Sequence, residues 1–191
     1  MVESSVVAVV PAAGQSSRFG SRKLLADLDG APLLQHTLVS LLDAAVARIV
    51  VVTRAGDTFD GVAALADPRV QVVVNPDPSR GMFSSIQIGL AAAGGRVVLV
   101  LPADMPFVAA DTVAAVVARA VTTGSVIVPA HHGRRGHPIA IPRALCDALA
   151  SLDPATTLKD GLAALQQPIV LADVTDPGVL RDVDVPGDLA P

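Results

Sequence analysis

The chain has 191 residues, of which 51% are hydrophobic and 17% charged, so it can bury a sizeable core and lacks the composition of a disordered protein. Its formal net charge of −4 gives no general attraction for nucleic acid or for an anionic membrane surface, and we expect neither as a partner. Aromatic residues make up only 2%, which argues against a platform for stacking single-stranded bases.

The single cysteine and the apolar runs bear on the compartment. Cys146 has no second cysteine for an intramolecular disulfide or a multi-cysteine metal site, and its Ala- and Leu-rich surroundings indicate a small core residue. The run Val6 to Val10 is too short for a signal peptide, and no other apolar run is long enough to span a membrane. We therefore expect a cytoplasmic protein.

Short apolar runs rich in β-branched residues recur along the chain and indicate strands that are buried on both faces, as in a parallel sheet. Between them, leucines at positions 33, 34, 38, 41 and 42 share one helical face, and valines 113, 116 and 117 repeat the spacing after a predicted cap at Asp111. Strands and helices thus alternate to about residue 128. The runs are Val6 to Val10, Ile49 to Thr53, Val70 to Val74, Val97 to Leu101 and Val126 to Val128.

The pattern changes after residue 128. Gly133 to His137 separates two short apolar runs, as in an antiparallel connection, and helices are expected near residues 143–150 and 156–165. We therefore predict one domain over residues 1–191 with a mostly parallel, mixed sheet. Because ligands collect at the carboxyl ends of strands in open α/β sheets, the loops after residues 10, 53, 74 and 101 are expected to converge on a site.

The loop from Pro11 to Lys23 follows the first strand directly. It joins small residues, whose backbone amides can approach an anion closely, to three cations within residues 18–23. Five residues, not four, separate Gly14 from Gly20, so the loop is not a Walker A motif, and it lacks the three spaced glycines of a dinucleotide-binding turn. A phosphate-binding loop and a flexible turn with surface cations both stay open on these residues alone.

The same loop closely resembles the signature of the MobA-like nucleotidyltransferases, and within them of the molybdenum cofactor cytidylyltransferases. The signature matches at Ala12, Ala13, Gly14, Ser16, Arg18, Gly20 and Lys23. The resemblance covers nearly the whole chain and implies a three-layer α/β/α, Rossmann-like nucleotidyltransferase fold. Its further matches are Leu24-Leu25, Gly30-x-Pro32-Leu33-Leu34, Gly81-Met82-x-Ser84-Ser85, Ala103-Asp104-Met105-Pro106, Gly133-Arg134-Arg135-Gly136-His137-Pro138 and Asp182-Val183-Asp184-Val185-Pro186-x-Asp188-Leu189.

The resemblance implies nucleotidyl transfer. This reaction needs protein cations beside the leaving pyrophosphate, a divalent metal, and an acceptor held in line with the bond that breaks. By resemblance, Arg18, Lys23 and Asp104 are the catalytic residues. The nucleotide-binding residues are then Ala12, Ala13, Gly14, Gln15, Ser16, Ser17, Arg18, Lys23, Gly81, Ser84 and Ser85.

The resemblance implies Mg²⁺ as the cofactor, with Asp104 and Asp184 as its ligands. Asp104 follows the run Val97 to Leu101, at a strand end where a carboxylate can bind Mg²⁺, although it could equally cap Met105-Pro106. Asp182 and Asp184 lie on either side of Val183, and we expect only one of them to enter the site. The resemblance selects Asp184.

Two serines have an ordinary structural alternative. Ser84 and Ser85 open an apparent helix after Gly81, so helix capping explains at least one hydroxyl and leaves the other for a ligand. The resemblance places this segment beside the base and ribose of the nucleotide.

The resemblance assigns Arg134, Arg135, Gly136, His137 and Pro138 to the acceptor side, where the two arginines would meet an acceptor phosphate. A basic turn exposed to solvent is the alternative for this segment. The adjacent histidines at positions 131 and 132 point apart in an extended chain and have no carboxylate or cysteine nearby, so they do not suggest structural zinc.

The function implied by the resemblance is Mg-dependent transfer of CMP from CTP to a phosphorylated pterin, the molybdenum cofactor, with release of pyrophosphate. The family's Gly-Asp-x-Gly-Ala-Arg-like stretch is replaced here by residues 153–160, which lack its glycines and its arginine. The acceptor is therefore less determined than the nucleotide. Transfer from another NTP, transfer to a different phosphorylated metabolite, and a non-catalytic protein that delivers molybdenum cofactor to a molybdoenzyme partner remain as alternatives.

Overall fold

The structure is a computed structural model that describes residues 6–14, 19, 22–44 and 46–189. The helices are α1 (Leu33–Asp43), α2 (Met82–Ala92), α3 (Ala110–Thr123), α4 (Arg143–Ala150) and α5 (Leu158–Ala164). The strands are β1 (Val6–Pro11), β2 (Asp27–Leu28), β3 (Ala31–Pro32), β4 (Arg48–Arg54), β5 (Val70–Asn75), β6 (Val97–Val100), β7 (Val126–His131), β8 (Arg134–Arg135), β9 (Ile139–Pro142) and β10 (Ile169–Asp173). Strands and helices alternate over much of the first two thirds of the chain, as the apolar runs predict, but in the described part of the chain no α-helix separates β1, β2 and β3 or lies between β4 and β5.

The main sheet has eight strands in the order β10-β7-β9-β6-β1-β4-β5, with β8 paired to β7. The pairs β6-β1, β1-β4, β4-β5 and β10-β7 are parallel, whereas β9 is antiparallel to both of its neighbours. The reversal follows the turn at Gly133, where φ is +76° and where β8 pairs back antiparallel onto β7. The predicted mixed, mostly parallel sheet is confirmed.

Helices cover both faces of this sheet and make three layers. Along β1, Ala8 and Val10 pack in one core with α1 and α3, while Val7 and Val9 pack in a second core with α2, α4 and α5. Successive side chains of a strand point to opposite faces, so burial on both faces requires the continuous apolar runs seen in the sequence. Cys146 lies fully buried in the second core, as predicted.

Two local predictions were wrong. The run Val70 to Val74 is not buried on both faces, because β5 is an edge strand and leaves Val72 and Val74 about half exposed, at 47% and 50%. Asp111 does not cap α3 and lies inside its first turn. The Asp176 carboxylate instead accepts the backbone N–H of Ala109, the residue before α3.

The segment that follows β10 returns across the carboxyl end of the sheet. The backbone N–H of Val183 donates to the carbonyl oxygen of Asp104 at 2.9 Å, and the buried Val183 side chain packs with Phe19 and Leu33. This return brings the end of the chain beside the loop after β6. Within the described residues, no helix is long and apolar enough to cross a membrane.

Candidate active site

A pocket of about 280 Å³ opens at the carboxyl ends of β1 and β6. It is formed by the loops after β1, β5 and β6, as predicted, and by the returning C-terminal segment. The loop after residue 53, which was expected to join them, does not line it. The lining residues are Pro11, Ala12, Ala13, Gly14, Lys23, Leu24, Pro78, Gly81, Met82, Ser85, Ala103, Asp104 and Asp184.

Lys23 is the buried cation of this pocket. Its Nζ lies 2.8 Å from Oδ2 of Asp104 and 3.0 Å from Oδ1 of Asp184, and the residue is only 7% exposed. Burial acts to lower the pKa of Lys23, but the hydrogen bonds and charges of Asp104 and Asp184 outweigh it and raise the pKa above its ordinary value. The lysine therefore stays charged between two carboxylates.

The two carboxylates are positioned by backbone contacts. Asp104 follows β6, where the N–H of Ala103 donates to the carbonyl of Pro11 at 3.3 Å. Asp184 is fixed by Asp188, whose Oδ2 accepts the N–H of Asp184 at 2.7 Å and that of Val185 at 2.9 Å. These backbone bonds lower the pKa of Asp188.

Only one of the two aspartates that flank Val183 contacts the pocket. The Val183 side chain is buried, Asp184 contacts Lys23, and Asp182 is not among the pocket residues. Alternation does not explain this separation, because residues two apart share a face of an extended chain and residues 181–184 do not form a strand. The Asp104 carboxylate contacts Lys23 and does not cap the next turn, in which the N–H of Met105 donates to the carbonyl of Pro102.

The residues present fit a magnesium ion that binds together with a polyphosphate. Asp104 and Asp184 converge on one cation, the Lys23 ammonium, from 81 and 161 positions away in the sequence. The described residues contain no group of three or more metal-binding side chains. Mg²⁺ commonly takes one or two carboxylates and completes its shell with water and substrate phosphate, so two carboxylates suffice.

Neither the Ser84 nor the Ser85 hydroxyl caps helix α2, so the interpretation that at least one of them is a helix cap was wrong. The Ser84 hydroxyl donates to the carbonyl of Gly81 at 2.7 Å, and both serine oxygens accept hydrogen bonds of 2.9 Å from Nδ2 of Asn75. Gly81 precedes the helix with φ of +94°, a region that favours glycine. Sequence reasoning missed Asn75, whose signal was a polar residue ending an apolar strand at the predicted site edge.

Part of the predicted nucleotide-binding loop, namely Gln15, Ser16, Ser17 and Arg18, lies outside the described residues. On either side of it, Ala12, Ala13 and Gly14 line the pocket, and Phe19 is buried against Leu33 and Val183.

The predicted acceptor residues are placed away from the pocket wall. Arg134 and Arg135 form β8, are exposed and do not line the pocket. The N–H of His137 donates to the carbonyl of Val179 at 3.0 Å. Burial lowers the pKa of His137, against the opposing charges of Asp104 and Asp182, so this imidazole lies within electrostatic reach of the site.

The two adjacent histidines do not point apart, contrary to the prediction. His132 has φ of +49°, so the chain is not extended there, and the rings of His131 and His132 pack edge to face with centroids 4.2 Å apart. Nδ1 of His131 lies 3.0 Å from the carbonyl oxygen of Val174.

Comparison with protein families matches residues 8–169 to the MobA-like NTP transferase domain. The match runs from β1 to the first residue of β10. It includes Lys23 and Asp104 and ends before Asp184.

The relatives of this chain include proteins with nucleotidyltransferase names. The molybdenum cofactor cytidylyltransferase of Escherichia coli (strain K12) is 22% identical over 97% of this chain and 94% of its own length. The phosphoenolpyruvate guanylyltransferase of Geodermatophilus obscurus is 31% identical over 88% of this chain and 78% of its own length. The two names differ in nucleotide and in acceptor, so these relatives do not determine the substrates of this chain.

The crystal structure of Rv0371c from Mycobacterium tuberculosis H37Rv matches this fold with a TM-score of 0.79 and 26% identity, over 98% of this chain and 96% of that chain. A structure of Rv0371C in complex with manganese matches with a TM-score of 0.75 and 23% identity, over 97% and 96% of the two chains. The predicted three-layer α/β fold is thereby confirmed.

Proposed function

The chain belongs to the MobA-like NTP transferase family, and from this premise we propose that it transfers CMP from CTP to the phosphate of a phosphorylated pterin, the molybdenum cofactor. It is a nucleotidyltransferase by family. In the proposed reaction an oxygen of the acceptor phosphate forms a bond to the α-phosphorus of CTP. The bond from the α-phosphorus to the bridging oxygen breaks, and that oxygen keeps the electron pair in the released pyrophosphate.

The observation that carries this proposal is the buried Lys23 between Asp104 and Asp184, beside the backbone of Ala12 to Gly14. A protein with net charge −4 does not attract a triphosphate overall, so the phosphate charge must be offset locally. Among the described residues that line the pocket, Lys23 is the cation that can offset this charge. The backbone N–H groups of the loop after β1 can donate hydrogen bonds to phosphate oxygens that approach closely.

Lys23 and the two carboxylates have complementary tasks. Magnesium, when bound, supplies positive charge at the triphosphate and acts as a Lewis acid at the α-phosphate. Asp104 and Asp184 would hold the ion, and Lys23 would then exchange carboxylate oxygens for phosphate oxygens. The manganese complex of Rv0371C supports divalent metal use, and Mg²⁺ is our proposal for this chain.

The nucleotide is proposed to be CTP. Ala13 is nearly buried, at 4% exposure, and lines the pocket together with Ser85, so its methyl group narrows the space beside the end of β1. A pyrimidine fits such a space better than a purine does. The cytidylyltransferase of Escherichia coli supports this choice, whereas the guanylyltransferase of Geodermatophilus obscurus keeps GTP as the alternative.

The acceptor is the less determined substrate. Residues 153–160, which replace the family's Gly-Asp-x-Gly-Ala-Arg-like stretch, do not line the pocket. In this segment the Thr157 hydroxyl accepts the N–H of Asp160 and thereby caps the start of α5. Arg134 and Arg135 are exposed and free to meet an acceptor phosphate beyond the pocket. Transfer to another phosphorylated metabolite, or delivery of the cofactor to a molybdoenzyme without catalysis, are the alternatives.

Pyrophosphate release separates these possibilities. The purified protein is incubated with Mg²⁺, each of the four NTPs, and a panel of phosphorylated pterins, sugar phosphates and alcohol phosphates. We expect release with CTP and the phosphorylated pterin, and its loss in Asp104→Asn but not in Asp147→Ala, a surface carboxylate that is 85% exposed. Pyrophosphate release with a different compound would identify that compound as the acceptor in place of the pterin. Nucleotide binding without pyrophosphate release in every combination would favour the delivery protein.

A further inference from the structure

Asn75 lies at the end of β5 and is 2% exposed, yet every polar atom of its side chain is hydrogen-bonded. Oδ1 accepts the backbone N–H of Asp77 at 2.9 Å. Nδ2 lies 2.9 Å from Oγ of Ser84 and 2.9 Å from Oγ of Ser85. One amide thus joins the sheet, the loop after β5 and the first turn of α2.

The contact with Asp77 determines which way the amide points. A backbone N–H can only donate, so the side-chain atom facing it must be the carbonyl oxygen of Asn75. The NH₂ group then faces the two serines, and because an amide nitrogen is a donor only, both serine oxygens act as acceptors toward Asn75.

The two serines differ in what their own hydroxyl hydrogens do. Ser84 donates its hydrogen to the carbonyl of Gly81 at 2.7 Å, so its hydrogen-bonding is complete within the protein. Ser85 accepts from Asn75, but its hydrogen has no acceptor among the described residues. Ser85 is 3% exposed and lines the pocket, so its hydrogen is left to donate to a ligand there.

We propose that Asn75 is a specificity-determining positioning residue, which holds Ser85 as a hydrogen-bond donor and so selects nucleotide bases that present an acceptor at that point of the pocket. The inference rests on the proposed function only in that the nucleotide occupies this pocket. Cytosine carries two adjacent acceptors, its carbonyl oxygen and ring nitrogen, whereas the corresponding positions of guanine are N–H donors. Asn75 occupies one of the two lone pairs of Ser85, and the Ser85 hydrogen has no acceptor among the described residues, so a base acceptor is its better partner and cytosine is favoured over guanine.

Asn75→Asp tests this assignment with little change of shape. The carboxylate still accepts the N–H of Asp77, but it cannot donate, so the Ser85 hydroxyl turns its hydrogen toward Asp and presents lone pairs to the pocket. The added negative charge weakens both triphosphates alike and cancels in a ratio of affinities. We expect the preference for Mg·CTP over Mg·GTP, measured as a ratio of Kd values by calorimetry, to fall by about tenfold.

Ser85→Ala provides a test that does not depend on the folding of Asn75→Asp, with Ser151→Ala as its control. Ser85→Ala is expected to reduce the CTP to GTP preference by about tenfold. Ser151→Ala should keep the preference, because Ser151 is exposed outside the pocket and its hydroxyl donates to the carbonyl of Asp147. If Asn75 acts through Ser85, then Asn75→Asp changes the ratio no further in the Ser85→Ala background.

The outcomes separate this inference from the proposed function. Equal CTP to GTP ratios in the wild-type protein, Asn75→Asp and Ser85→Ala would overturn the role of Asn75 and leave nucleotide binding intact. An equal loss of affinity for both nucleotides would indicate that Asn75 only maintains the wall of the pocket, and would overturn the role as well. Failure of the wild-type protein to bind any Mg·NTP would overturn the proposed function and this inference together.

Discussion

The ammonium nitrogen of Lys23 lies 2.8 Å from Oδ2 of Asp104, although 81 positions separate the two residues in the chain. Oδ1 of Asp184 approaches the same nitrogen to 3.0 Å. Lys23 therefore occupies the space between the carboxylates in which a divalent cation is expected, and it offsets part of their charge there. A lysine and a metal ion compete for the same two carboxylates, and a triphosphate gives the lysine another partner.

Replacement of Lys23 should affect nucleotide and metal in opposite directions. Lys23→Met keeps most of the side-chain stem but removes a charge-assisted hydrogen bond to phosphate worth roughly 1.5–3 kcal/mol, so Mg·NTP affinity should fall by about 10-fold to 150-fold. Mn²⁺ without nucleotide should bind more tightly than in the wild-type protein, because its competitor is gone. Calorimetry measures the first effect, and electron paramagnetic resonance of free Mn²⁺ the second.

The control for Lys23→Met is Lys159→Met, which changes the other lysine of the chain, an exposed residue of α5. This variant should keep wild-type affinities for both ligands. Unchanged NTP affinity and unchanged turnover in Lys23→Met would reassign the β1 loop to an ordinary turn with surface cations.

Asp104→Asn should lose turnover by about 100-fold or more, since a metal ligand that stabilises transition-state charge is worth several kcal/mol. The variant should stay folded, because the Asn oxygen can still accept from Lys23 and the backbone carbonyl still accepts from Val183. Circular dichroism tests whether the variant is folded, and a pyrophosphate assay measures its turnover. Asp184→Asn should lose less turnover than Asp104→Asn, since the Asp184 side chain is 48% exposed against 23% for Asp104. A folded Asp104→Asn with near-wild-type transfer would contradict the assigned mechanism.

Several features of the site could be predicted from local sequence. Burial on both faces gives parallel strands their continuous apolar runs, so the position of Asp104 after β6 followed from the run before it. The small residues that follow the first apolar run likewise indicated a ligand-binding loop, and Ala12, Ala13 and Gly14 line the pocket. In each case the outcome depends on neighbours that are only a few residues away.

The features that were missed depend on contacts between distant segments. The order of strands leaves β5 at an edge and exposes Val72 and Val74, which composition alone does not indicate. Asn75 donates to the hydroxyl oxygens of Ser84 and Ser85 only because β5 ends beside the first turn of α2. Local capping rules therefore predicted a helix cap that neither serine provides.

Cys146 should make the protein less stable as the pH rises above about 9. Burial raises the pKa of the Cys146 thiol to about 11, whereas in the unfolded chain the thiol ionises near its ordinary value. The unfolded state then loses its proton first, so the free energy of unfolding falls between these two pKa values and is unaffected below them. At about pH 10 the loss attributable to Cys146 should be about 1 kcal/mol.

Urea unfolding of the wild-type protein and of Cys146→Ala, at neutral pH and at about pH 10, isolates this effect from the cavity that the substitution creates. The variant should lose less stability between the two pH values. Rapid alkylation of Cys146 in the native protein near neutral pH, or equal pH-dependent losses in both proteins, would contradict a buried neutral thiol.

Ala13 is buried and lines the pocket at the end of β1, so we expect its methyl group to set the size limit of the base site. A steric difference of this kind is worth on the order of 1–3 kcal/mol, or about 10-fold to 200-fold in discrimination. Mg·CTP should therefore raise the melting temperature more than Mg·GTP at equal concentration, and Ala13→Gly should narrow that difference by admitting the purine. Comparing ligand-induced shifts, with the exposed Ala155→Gly as control, cancels the backbone entropy that any glycine adds to the unfolded state. A wild-type preference for GTP would overturn the cytidylyl assignment and leave nucleotidyl transfer standing.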